Sequence, residues 1–281
     1  MTVMPARRGR GGARVGSRLG SDLVSEALAT LPDVDVTIEQ GFVAIRARGF
    51  TEDGAKTEFG RWMVEAHRAV AEAHRTAEAI ALDKLIDLLI ANARPPPSSD
   101  EFAAWLRMFL REAAPEFVAF EFRSGQARKS RAGSVWEKIG TRFLEWNDIP
   151  CEKPTGESAR SLRQIDRVVP SVRVAIESPD RAIRLSFKTE AREKWRVLLN
   201  ESQHGFVYLV TLGDDMTKAR LDEIAELRLV VYAPREIKES SPELREAHSL
   251  RTLDELPGDL RHFVPPGPRP PRPHMVPLDQ D

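Results

Sequence analysis

Cysteine is nearly absent: Cys151 stands alone among 281 residues. A single thiol excludes an intramolecular disulfide and a Cys-rich zinc site, and it suits a reducing cytosol, where the chain is expected to work. No apolar run approaches the roughly 20 residues a bilayer-spanning helix needs, so no membrane partner is expected. A Gly-rich phosphate loop of the Walker type is missing, which argues against a nucleotide cofactor. The six histidines are scattered. None stands at metal-ligand spacing from another His, Cys or acid, and His204 reads as a structural or polar loop residue. Excess charge of either sign is lacking too, since the net charge is −1. That balance does not exclude a nucleic-acid partner, because acidic metal ligands and basic phosphate contacts cancel in the sum.

What is present is an ordinary soluble composition, 41% hydrophobic and 30% charged, long enough for one large domain or two modest ones. Residues 1–20 carry Arg7, Arg8, Arg10, Arg14 and Arg18 without a following apolar segment, and read as a disordered basic arm rather than a signal peptide. Residues 21–95 read as mostly helical. A short helix is predicted from Asp22 to Leu31, a short strand from Phe42 to Ala47, and one or two helices between about Glu58 and Ala93. The run Arg94-Pro-Pro-Pro-Ser-Ser breaks that pattern and serves as a linker. Asp100 is placed to cap a helix bearing Phe102, Trp105, Leu106 and Phe109.

Beyond the linker, a helix is predicted from Gly133 to Trp146. Strands are predicted at Val172–Ile176, Ile183–Phe187, Phe206–Leu212 and Arg228–Tyr232, with helices at Thr189–Ser202 and Met216–Leu227. This order implies an α/β domain over residues 96–262, a mixed sheet with helices on both faces. Residues 263–281 are Pro-rich and read as a disordered tail. Trp136, Trp146 and Trp195 sit at helical spacing among apolar neighbours and read as core rather than as base-stacking platforms.

Chemistry centres on Leu185-Ser-Phe-Lys188. A lysine ending an otherwise apolar strand holds its ammonium at the rim of a sheet. Asp166 precedes another apolar stretch upstream, and Glu201 lies thirteen residues past Lys188 on the following helix. Two hard oxygen ligands and a cation are what Mg²⁺-assisted phosphodiester hydrolysis requires. By spacing alone, a solvated strand end and helix face explain the same residues better.

Three blocks carry more weight. Arg128-Lys-Ser-Arg-Ala-Gly133 with Glu137 behind it, Lys188-Thr-Glu-Ala-Arg-Glu-Lys-Trp-Arg196 ending on Glu201, and Leu209-Val-Thr-Leu212 leading to Leu229-Val-Val-Tyr-Ala-Pro234 resemble the EcoRII-type restriction endonucleases. The resemblance covers roughly Asp100 to Pro234, in the family's order. It implies a restriction-endonuclease-like PD-(D/E)xK core in variant form, with Ser186 where the strand acid usually stands and Glu201 supplying that carboxylate from the helix. Asp166 is then the central metal ligand and Lys188 the catalytic lysine. Glu137 is an accessory acid and metal ligand near the second metal position, and Arg192 a contact to the scissile phosphate. The chain departs from the family in having Ile165 rather than Pro before the aspartate. A literal Pro179-Asp180 competes, but Asp180-Arg181 reads better as a turn. Glu190, in place of a second Thr, suits the positive end of a helix.

The same resemblance assigns Arg128, Lys129, Ser130 and Arg131 to double-stranded DNA. Bidentate reading of guanine O6 and N7 and clamping of phosphates both remain open for them. Ser130 and Gly133 suit close backbone approach at a helix start. The implied activity is type II restriction cleavage with Mg²⁺ by a homodimer, each protomer cutting one strand. A repair or mobile-element nuclease of relaxed specificity, and an inactive DNA-binding relative of the same fold, are the rivals.

Overall fold

A computed structural model describes residues 20–93, 98, 100–190 and 194–264. All of the expected basic arm except Gly20, together with Arg192 and nearly all of the Pro-rich tail, lies outside the described residues. The helices are α1 (Gly20–Leu28), α2 (Val34–Ala47), α3 (Glu52–Thr57), α4 (Phe59–Asn92), α5 (Phe102–Trp146) and α6 (Ser158–Ser161), followed by α7 (Val172–Glu177), α8 (Lys194–Ser202), α9 (Lys218–Ala225), α10 (Arg235–Lys238), α11 (Pro242–Glu246) and α12 (Leu256–Arg261). The strands are β1 (Arg167–Val169), β2 (Ile183–Lys188), β3 (Phe206–Thr211), β4 (Leu229–Ala233) and β5 (Leu250–Thr252). No described helix is long and apolar enough to cross a membrane.

Among the described residues the strands form one sheet in the order β1-β2-β3-β4-β5. β1 runs antiparallel to β2, and the other pairs are parallel. This is the mixed α/β architecture expected from the element order. Helices cover both faces because the inner strands bury both. Ile183, Leu185, Phe187, Tyr208 and Val210 pack with Phe42, Met63, Trp136 and Phe143 from α2, α4 and α5. Val207, Leu209, Val231 and Ala233 face the opposite way, onto Trp195, Leu198, Leu221 and Ile224 from α8 and α9. Strict alternation along β3 is the two-residue period of an extended chain.

The chain divides into two compact units, residues 1–31 with 76–126 and residues 32–75 with 127–281. The first is built on Val24, Ala27, Ala81, Leu85, Leu89, Ala113 and Phe120. The second holds the sheet. The boundaries fall inside α4 and α5, not at the Pro-rich run that punctuates the sequence, because each long helix supplies residues to both units.

Several local expectations are corrected. Phe42–Ala47 belongs to a helix: Ile38, Phe42 and Ile45 recur at i, i+4 and i+7 and are all buried, a helical stripe that a six-residue window hides. Val172–Ile176 is also helical, because the Ser171 side chain accepts a hydrogen bond from the Val174 N–H and caps a short turn of helix. The helix expected at Gly133 starts much earlier, at Phe102, as part of α5. β1 and β5, of three residues each, were not expected from the apolar pattern. Trp136 and Trp195 are fully buried core residues, as their spacing indicated, and Trp146 packs partly buried against the same core.

Candidate active site

β1 and β2 pair so that Arg167 faces Leu185, which sets Asp166, just ahead of β1, opposite Ser186. The Asp166 backbone N–H donates to the Leu185 carbonyl at 2.8 Å. Its carboxylate reaches back over β2. Oδ2 accepts from the Phe187 backbone N–H at 2.7 Å and from Lys188 Nζ at 2.8 Å, with Ser186 Oγ at 3.5 Å. All of these contacts fall on Oδ2. The Asp166 and Lys188 side chains are about one-fifth exposed, at 22% and 21%. That leaves each accessible to a ligand while shielding their mutual attraction from full solvent screening. Ser186 is wholly buried and donates to the Gln164 carbonyl at 3.0 Å, tying the segment before Asp166 to the middle of β2.

Ile183, Leu185 and Phe187 are committed to one core face, so Arg184, Ser186 and Lys188 project from the other. Glu201, in the last turn of α8, meets this second face at Arg184. The guanidinium Nη1 donates to the Glu201 carbonyl at 2.8 Å and lies 4.0 Å from the carboxylate Oε2. Burial pushes the Glu201 carboxyl above its usual pKa, opposed by the charges of Arg184 and His204. Burial likewise pulls the Arg184 pKa down, opposed by Glu201. Residues two apart on a strand are about 6.6 Å apart. Asp166 at Ser186 and Lys188, and Glu201 at Arg184, therefore share one face of one strand.

Glu137 is held differently. Arg167 and Lys153 both pair with its Oε1, the latter at 3.1 Å. Arg167 also donates to the Asp166 carbonyl at 2.8 Å, so Glu137 reaches the Asp166 segment through an arginine rather than directly. Among the described residues no three His, Cys, Asp or Glu side chains gather into a metal-holding group. The donor set fits a Mg²⁺ ion all the same, because such an ion is commonly bound through one or two carboxylates with water completing the shell. Asp166 and Glu201 are the two carboxylates that meet this face of β2.

Asp180 does not join them. It lies in a 3₁₀ turn, is 73% exposed, and pairs with Arg228. Arg128, Lys129 and Ser130 are exposed in the interior of α5, and Arg131 Nη1 is 3.1 Å from His74 Nε2. The expected helix start at Gly133 is absent, and a Cβ there would meet nothing within 4 Å. Two residues escaped the sequence reading, Arg167 and Arg184. The available sign was an arginine in alternation with Ser186 and Lys188 inside an apolar strand.

A model of the EcoRII C-terminal family matches residues 100–256. The chain belongs to this family. Asp166, Lys188 and Glu201 all fall inside the family's span, as do Glu137 and the Arg128–Arg131 segment. Comparison with curated protein sequences returns no match. Among solved structures, metal-depleted Ecl18kI in complex with uncleaved DNA is similar at 17% identity and a TM-score of 0.71, covering 86% of this chain and 82% of that one. The restriction endonuclease PspGI in complex with substrate DNA is similar at 17% identity and a TM-score of 0.62, covering 87% and 97%. At that identity the likeness is one of fold. Family and fold together make the chain a nuclease of the restriction-endonuclease type.

Proposed function

We propose that this enzyme is a type II restriction endonuclease that hydrolyses double-stranded DNA at a specific sequence with Mg²⁺. The observation that carries the reading is the Asp166–Lys188 contact at 2.8 Å across β1 and β2, with Glu201 held on the same face of β2. Asp166 and Glu201 would hold the ion. When bound, a divalent ion stabilises charge on the phosphate and lowers the pKa of its water. Lys188, fixed by Asp166 at the sheet rim, orients the attacking water and neutralises phosphate charge. Glu137 acts at one remove, by holding Arg167 against the Asp166 backbone. Arg192 is assigned to the scissile phosphate on resemblance alone.

Arg128, Lys129, Ser130 and Arg131 are assigned to DNA. Exposure of the first three on a helix suits a major-groove approach. A two-fold symmetric duplex site is met most simply by a homodimer with one active site per strand. The DNA complexes of Ecl18kI and PspGI support a duplex partner for this fold.

Incubation of the protein with plasmid DNA and Mg²⁺, with and without EDTA, tests the reading. Discrete fragments that vanish with EDTA are expected. A smear would instead mark a repair or mobile-element nuclease of relaxed specificity, and shifted but uncut DNA an inactive binder.

A further inference from the structure

Arg184 is the least expected residue of the site. It lies in the middle of a sheet, and its side chain is only 6% exposed. Taking a guanidinium out of water is costly unless partners compensate. Here the compensation is incomplete, because Nε is buried without a hydrogen-bond partner. What Arg184 does hold is the end of α8. Its Nη1 donates to the Glu201 carbonyl at 2.8 Å, a last-turn acceptor that also takes the His204 backbone N–H at 3.1 Å. Its charge lies 4.0 Å from the Glu201 carboxylate. Apart from Arg184 and the charge of His204, little favours that carboxylate. It is 14% exposed, and it sits at the negative end of a helix dipole, where a cation is favoured and an anion is not.

A glycine also packs beside this arginine. At Gly205, three residues past α8, a Cβ would lie 3.4 Å from the Arg184 Cζ, 3.5 Å from its Nη1, and 3.2 Å from the Pro179 carbonyl oxygen. A side chain there would press on the Pro179 carbonyl and sit in van der Waals contact with the guanidinium. Strand, helix end and glycine thus converge on a single charged group.

We propose that Arg184 is a positioning residue. It pins the Glu201 backbone by a direct hydrogen bond while holding the carboxylate only by charge, so that the carboxylate is delivered to the β2 face and remains free to ligate a divalent ion. The proposal rests on the reading of Glu201 as a metal ligand. The two contacts differ in the required sense: 2.8 Å at the carbonyl is a formed hydrogen bond, whereas 4.0 Å at the carboxylate is not. Rearrangement of the carboxylate on metal binding therefore breaks no hydrogen bond to Arg184, and α8 keeps its anchor.

Five proteins test this: wild type, Arg184→Lys, Arg184→Met, Glu201→Gln and the Arg184→Met/Glu201→Gln double variant. Two readouts are needed, the Mg²⁺ concentration giving half-maximal plasmid cleavage and the rise in melting temperature caused by Ca²⁺ alone. Melting in EDTA reports folding. Loss of a group that orients a metal ligand typically weakens metal affinity about 10–100-fold, and a shift of that size is expected for Arg184→Met. Its Ca²⁺-induced stabilisation should fall with it, and Arg184→Lys should lie between. In the Glu201→Gln background, Arg184→Met should remove no further Ca²⁺ response. A wild-type metal response in Arg184→Met overturns the proposal. So does an equal loss with and without Glu201, which would mark a purely structural arginine. If Arg184→Met does not fold, Arg184→Lys decides. It should raise the Mg²⁺ requirement several-fold because a flexible lysine ammonium lacks the rigid planar fork that fixes Nη1 on the Glu201 carbonyl, and a wild-type value overturns the proposal. A wild-type metal response in Glu201→Gln would sink the ligand reading itself, independently of Arg184.

Discussion

Asp166 and Asp180 are the same residue type within a short stretch of chain, and their surroundings separate them. Asp166 is partly buried, and its Oδ2 accepts from a backbone N–H and from Lys188. Asp180 is mostly exposed beside Arg228. Asp166→Asn is expected to abolish cleavage. Asp180→Ala is expected to leave cleavage intact and stability within about 1 kcal/mol, the range of an exposed ion pair. Plasmid cleavage and urea melts of the two variants side by side check this, and the opposite pattern would exchange their roles. His67 offers a pH test in the same unit. It packs edge-on against Trp136 with ring centroids 5.6 Å apart, and burial, aided by Arg68, pulls its pKa below 6.5. The unfolded chain then binds this proton more readily than the folded one. Stability contributed by the neutral ring is present above pH 6.5 and is lost as pH falls from there toward the lower folded value. His67→Phe should flatten that part of the stability–pH curve in denaturant melts at several pH values.

At the scale of elements, the tightest fit near the site is α5 on β2. A Cβ on Gly140 would lie 2.2 Å from Phe187 Cε1, and Phe187 is the residue before Lys188. Gly140→Ala should therefore cost about 1–3 kcal/mol, as overpacking does, and should lower cleavage by displacing β2. Urea denaturation checks the first effect, and a wild-type midpoint would show that the helix shifts without cost. β2, β3 and β4 were legible in the sequence because strands buried on both faces read as continuous Val/Ile/Leu-rich runs. β1 and β5 were not, because three residues carry too little pattern. Phe42–Ala47 and Val172–Ile176 misled for a related reason. A short apolar run has no period of its own, and the deciding residues, Ile38 in one case and the Ser171 cap in the other, lie outside it. The site divides along similar lines. The Asp166, Lys188 and Glu201 spacing stood in the sequence and became specific through the family blocks. The commitment of Glu137 to Arg167 and Lys153, and the burial of Arg184, depend on contacts between distant segments that spacing does not encode.

For the whole molecule, the sheet faces two cores, and the second of them ends at the proposed catalytic face of β2. The Arg128–Arg131 segment belongs to the same compact unit as the sheet. One unit therefore carries both the residues proposed to read DNA and those proposed to cut it. Arg131→Ala should weaken discrimination between cleavage sites by about 1–3 kcal/mol if the segment reads base edges. Comparison of cleavage rates on cognate and single-mismatch duplexes checks this, and unchanged discrimination would reduce the segment to a phosphate clamp. The central assignment, a metal-dependent cut made by the Asp166–Lys188 pair, is tested most directly at Lys188. Lys188→Ala should lose plasmid cleavage in Mg²⁺ while still shifting DNA in a gel. Full cleavage by that variant would contradict the assignment.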